Sequence, residues 1–178
     1  MFYNHIVFPG ALEPLVDEIN KHLETQQSKG SDKSNNVSID WYGGGYVSEI
    51  EENAYYYFKR ANQLNFGYDI TNVEALRLEQ YHIDGSKDLR KECNHFYNNY
   101  IDRKLLGILN LNESFNPAER GGAIELFESN RKRNIVDNIF YEKKGSFAVI
   151  DVFTGYQISK VSQELKYLFC FCVGPKWQ

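Results

Sequence analysis

Residues 165–173 read Leu-Lys-Tyr-Leu-Phe-Cys-Phe-Cys-Val, and the fold turns on this stretch. Alternation puts Leu165, Tyr167, Phe169, Phe171 and Val173 on one side of a strand, and Lys166, Leu168, Cys170 and Cys172 on the other. Both sides are apolar, so the strand is buried on both faces. Lys166 is its single charge. A lysine at a strand end either snorkels to solvent or holds an anion at the mouth of a cavity.

Working back from there, period-two patterning predicts strands over 73–83, 103–111, 123–128, 135–142, 146–152 and 156–161. Turn chemistry separates them at Gly121-Gly122, Lys144-Gly145 and Thr154-Gly155. Before residue 73 the period is mostly helical. Leu12, Leu15, Val16, Ile19 and Leu23 predict an amphipathic helix over 12–25. Ser48-Glu49-Ile50-Glu51 is a capping-box pattern opening a second helix, which Ala54, Tyr57, Phe58 and Ala61 continue to about Asn62. Phe2–Phe8 and Val37–Trp41 read as short strands, and the polar stretch Gln26–Asn36 reads as a mobile loop. Gly43-Gly44-Gly45 lacks a following Lys-Ser/Thr and reads as a plain turn. Two helices followed by about seven strands without helical crossovers define an α+β, mainly β fold: an antiparallel barrel or sandwich with the helices on one side. The expectation is one domain over 1–178, with a helical part at 1–72 and a β core at 73–178.

Composition narrows the function classes. The 178 residues carry 20 Lys+Arg against 24 Asp+Glu, a formal charge of −4, which argues against a dedicated nucleic-acid binder. With 42% hydrophobic and 15% aromatic residues the chain can build a core. No apolar run is long enough to span a membrane, and the N-terminus lacks the pattern of a secretory signal. Cys93, Cys170 and Cys172 are odd in number and lack zinc-site spacing, so free thiols in a reducing, cytoplasmic compartment or a virus particle are expected.

Several local strings, in order, resemble one known family. Ala61-Asn62, Phe66-Gly67-Tyr68-Asp69-Ile70-Thr71 and Leu78-Glu79-Gln80-Tyr81 resemble the first half of the 2-oxoglutarate/Fe(II) oxygenases of the prolyl-hydroxylase-like (PKHD) type. Arg103-Lys104-Leu105, Leu109–Glu113, Gly121–Leu126, Gly145–Ile150 and Gly174-Pro175 continue the resemblance over about 47–177. It implies a double-stranded β-helix, or jelly roll. It also implies Fe(II) held by a His-x-Asp/Glu pair and a distal His, with 2-oxoglutarate as co-substrate.

The implied ligand positions are altered. Counting on from Tyr81, the metal motif falls at Arg90-Lys91-Glu92 or, with an insertion, at Glu92-Cys93-Asn94. Tyr156 takes the place of the distal histidine, and no histidine follows His95. A neutral phenol is a poor ferrous ligand. Arg90, Glu92, Asn94 and Tyr156 therefore read as former metal-site positions. His82-Ile83-Asp84 is a literal His-x-Asp but lies early in the chain, leaving His82 and Asp84 as an alternative metal pair. Lys166 stands where the resemblance implies an oxoacid-binding arginine, and with Tyr81 it is a candidate carboxylate-binding pair. Lys166 and Tyr156 are expected side by side inside the barrel.

Three functions follow. The leading one is a non-catalytic oxygenase-like jelly roll needing no cofactor, a structural or binding module for other protein subunits, in the form of a phage-encoded virion component or other large assembly. The second is an active hydroxylase using Fe(II) and 2-oxoglutarate with an atypical metal set. The third is a metal-free binder of small carboxylates.

Overall fold

The computed structural model describes residues 4–25, 31–43, 45, 48–93, 101–127 and 133–177. Its strands are β1 (His5–Phe8), β2 (Ser31–Ser34), β3 (Val37–Gly43), β4 (Asn72–Tyr81), β5 (Lys87–Arg90), β6 (Ile101–Asn110), β7 (Ile124–Phe127), β8 (Arg133–Ile135), β9 (Phe147–Asp151), β10 (Gly155–Ile158) and β11 (Leu165–Pro175). Helices α1 (Val16–Thr25) and α2 (Ser48–Ala61) precede the main run of strands, and short turns α3 (Pro117–Arg120) and α4 (Ile139–Glu142) interrupt it. The strands form a seven-stranded sheet, β1-β9-β6-β11-β4-β3-β2, and a four-stranded sheet, β5-β10-β7-β8. Every pairing is antiparallel. This is the mainly β, antiparallel two-sheet arrangement that the strand pattern predicts, and the jelly roll that the resemblance implies. No helix among the described residues is long and apolar enough to cross a membrane.

Strand β11 sits at the centre of the large sheet, between β6 and β4, and its two faces feed two cores. Leu168, Cys170 and Cys172 join a cluster with Val16 and Ile19 of α1 and with Ile50, Ala54, Phe58 and Ala61 of α2. Leu165, Tyr167, Phe169 and Phe171 join the cluster between the sheets. The buried residues of α2 recur at helical spacing, so its apolar stripe lies flat on the sheet. All three cysteines are free, with Cys170 and Cys172 buried.

The structure corrects several boundaries. Strands β1 and β3 agree with the strands read at Phe2–Phe8 and Val37–Trp41, while β2 adds a further strand of the large sheet from before residue 73. Ser31–Ser34, read as loop, pairs with β3 through Asn35-Asn36, both at positive φ (50° and 57°). Asn tolerates that conformation, and two such residues in a row make the tight hairpin turn that matches strand twist. Residues 135–142 are not one strand. Phe140 and Tyr141 are neighbours and both are buried between the sheets, which alternation forbids; the turn α4, with Phe140 N–H donating to Asp137 O at 2.9 Å, sends both rings inward. Strand β5, Lys-Asp-Leu-Arg, was not foreseen because it is short, charged and mostly exposed.

Candidate functional site: a charged interior

On β4, Arg77, Glu79 and Tyr81 share one face, opposite Phe169, Tyr167 and Leu165 of β11 and Trp41, Ile39 and Val37 of β3. That face looks into the space between the sheets. Arg77 and Glu79 are 1% and 0% exposed, so each must find a partner of opposite charge. They find each other, with Arg77 Nε 2.7 Å from Glu79 Oε1 as an ionic contact without hydrogen-bond alignment. Glu79 also accepts from Lys87 Nζ and from the Tyr81 hydroxyl. The Arg77 guanidinium lies between aromatic rings, 4.7 Å from the Phe169 centroid, 4.9 Å from Phe171 and 5.1 Å from Trp41.

The second centre is Glu92, just after β5 and 3% exposed. Its Oε1 accepts from Arg77 Nη2 at 2.9 Å and from the Tyr156 hydroxyl at 2.7 Å, and lies 3.0 Å from Arg90 Nε. Its Oε2 accepts from Arg103 Nη1 at 3.2 Å, and Arg103 Nε in turn donates to Glu74 at 3.0 Å. Arg77 Nη2 also donates to Tyr156 Oη at 2.9 Å. Burial alone would raise the Glu92 pKa, but the charge and hydrogen bond of Arg77, the charge of Arg90 and the Tyr156 hydroxyl bring it down to about 2. Burial, with Arg77 nearby, pulls Lys87 down to about 8 despite Glu79. Burial first, and then the charge and hydrogen bond of Glu79, hold the Tyr81 phenol well above its ordinary value; burial does the same for Tyr156. Both phenols stay protonated, and both donate to carboxylates.

Of the positions read from the sequence as former metal-site positions, the structure brings together Arg90, Glu92 and Tyr156; Arg90 and Tyr156 are cross-strand partners. Asn94 lies outside the described residues. These positions do not fit ferrous iron. They offer one carboxylate and one protonated phenol, and both oxygens of the carboxylate already receive guanidinium protons. A divalent cation there would sit among Arg77, Arg90 and Arg103. Among the described residues, no group of three or more His, Cys, Asp or Glu side chains is placed to hold a metal. His82 and Asp84 occupy an exposed turn and engage different groups. His82 Nε2 is 3.0 Å from Ser38 Oγ and its Nδ1 is 3.1 Å from Glu164, while Asp84, at φ 68°, pairs with Lys160 at 2.9 Å.

Lys166 and Tyr156 are not side by side. Lys166 alternates with Leu165 and Tyr167 of the inter-sheet face, so its side chain belongs to the helix-side face with Leu168 and Cys170. Tyr156 is buried between the sheets, 5.9 Å from Phe169. The sheet separates them. Tyr81 does lie inside, against Tyr167 at 6.0 Å. Sequence reasoning missed Arg77, Glu79, Lys87 and Arg103. The signal was present in Leu76-Arg77-Leu78-Glu79, where charge and apolar residue alternate in a strand that has to be central.

The fold is that of the prolyl-hydroxylase-like 2-oxoglutarate/Fe(II) oxygenases. A prolyl-4-hydroxylase from Pseudomonas putida superposes with a TM-score of 0.71 at 13% identity, over 96% of this chain and 92% of that one. A Trichoplax adhaerens prolyl hydroxylase, solved with a peptide fragment of the hypoxia inducible factor oxygen degradation domain, gives 0.70 at 14% identity, over 95% and 83%. The viral collagen prolyl hydroxylase of Paramecium Bursaria Chlorella virus-1 gives 0.64 at 11% identity, over 97% of each chain. No family model and no curated protein matches the sequence.

Proposed function

We infer that this chain is a non-catalytic protein with the oxygenase jelly-roll fold, acting as a binding or structural module. The observation that carries this is the ring of Arg77, Arg90, Arg103 and the Tyr156 hydroxyl around Glu92. Where the resemblance implies a metal, the interior holds guanidinium groups, which supply positive charge but offer no open coordination position at which dioxygen could be bound and activated. The arrangement leaves both carboxylates neutralised and both phenols protonated, the chemistry of a static core rather than a reaction chamber. Jelly rolls recur as assembly units in viral capsids, which supports other protein subunits, in a virion or comparable particle, as the partners. The native mass of the protein in its source tests that assembly.

Anaerobic reconstitution with Fe(II) and 2-oxoglutarate tests the central claim. We expect substoichiometric iron after desalting and no succinate formed. One iron per chain, with oxoacid turnover, overturns it.

A further inference from the structure

We propose that the groove at the open end of the sandwich, between β3 and β5, binds a small anion carrying a carboxylate or phosphate group. The proposal rests on the non-catalytic reading and deepens it by naming a ligand class. The groove has a volume of about 340 Å³, within the range of small-molecule sites. Val37 and Ile39 give it an apolar wall, and Lys87, Arg90 and Lys91 give it positive charge. Asp88 also lines it and offsets Lys91.

Charge in the network behind the groove does not balance. Among the described residues, Arg77, Lys87, Arg90 and Arg103 are linked to only three carboxylates, Glu74, Glu79 and Glu92. Cations therefore outnumber carboxylates by one among the described residues, a balance that favours an anion over a cation in the groove. Lys87 and Arg90 connect the network to the groove, since each lines it while holding an interior carboxylate. Arg90 is 43% exposed, so its guanidinium has donors left for an incoming group. Two oxygens of a carboxylate or phosphate match that planar fork, and a short carbon chain would lie against Val37 and Ile39. The small-carboxylate site expected at Lys166 thus moves to β5.

The test uses metal-free, chelator-treated protein, titrated with inorganic phosphate, with succinate, and with sodium chloride at matched ionic strength. Phosphate or succinate should raise Tm by about 4 °C at tenfold excess over Kd, and further with the logarithm of concentration beyond it, while chloride does not. Arg90→Gln, whose Glu92 keeps Arg77 and Arg103, should weaken binding at least tenfold. In the unaltered protein, amide exchange should slow at Lys87–Arg90 on adding the anion, a readout that stands whether or not the variant folds. A response no larger than with chloride, a larger one that Arg90→Gln retains, or protection confined elsewhere overturns the proposal. Phosphate against succinate separates the two sources. Iron in the freshly purified protein would sink the non-catalytic reading without deciding this titration.

Discussion

Glu92 receives hydrogen bonds or ion pairs from four side chains at once, and that crowding sets what the residue contributes. Removing its charge leaves Arg77, Arg90 and Arg103 facing one another in a desolvated space. Losing one partner of a buried ion pair costs about 3–5 kcal/mol. Glu92→Gln should therefore lower Tm by roughly 6–20 °C, at about 2–4 °C per kcal/mol for a chain of this size. Thermal unfolding at neutral pH checks this, and an unchanged Tm would contradict it. The same carboxylate makes the protein acid-labile. Its folded pKa is depressed to about 2 from 4.5, so its contribution is complete above pH 4.5 and lost as pH falls towards 2. The shift corresponds to about 3 kcal/mol. Urea unfolding at pH 6 and at pH 2.5 should show that loss in the wild type and a flatter profile in Glu92→Gln. Arg90 and Glu92 could be singled out in the sequence by counting from Tyr81, and Tyr156 by the resemblance of its strand to the one that carries the family's distal histidine. Arg77 was not, because a charge in an alternating strand reads equally well as an outward residue. Only the burial of both faces of β4 tells the two apart.

At the scale of elements, β11 and α2 were legible because each repeats its apolar pattern long enough to exclude the alternative period. β5 and β8 are short and carry no such pattern, and α4 hides within an apolar run whose neighbours both point inward. The seating of α2 depends on a residue with no side chain. Gly107 lies in the centre of β6, and a Cβ there would come within 2.3 Å of the Phe147 ring and 2.7 Å of Phe58 Cζ. Phe58 is the fully buried residue in the middle of α2, and its ring meets Phe147 edge-on at 5.5 Å. Neither ring has free space to retreat into. Gly107→Ala should thus cost about 1–3 kcal/mol by overpacking, with Gly107→Val worse. Denaturant unfolding gives the value, and a neutral result would mean that α2 can lift from the sheet at little cost.

Across the whole molecule, the two sheets are joined by side chains that come from the chain itself. Arg77 on the large sheet reaches Tyr156 on the small one, and Glu92, after the first strand of the small sheet, reaches Arg103 on the large one. Around these links lie Phe169, Phe171 and Trp41, which shield them from water and strengthen each contact. A protein whose core ligates a metal gains stability with metal concentration, because ligand binding to the folded state is folding free energy. Here the cations seen at these links are covalently part of the strands. Treatment with EDTA should accordingly leave Tm within about 1 °C, and adding Fe(II) anaerobically should not raise it. Scanning calorimetry on freshly purified protein, before and after chelation, decides the matter. A fall of several degrees that Fe(II) restores would show that a metal, not Arg77, is the cation on which the interior depends.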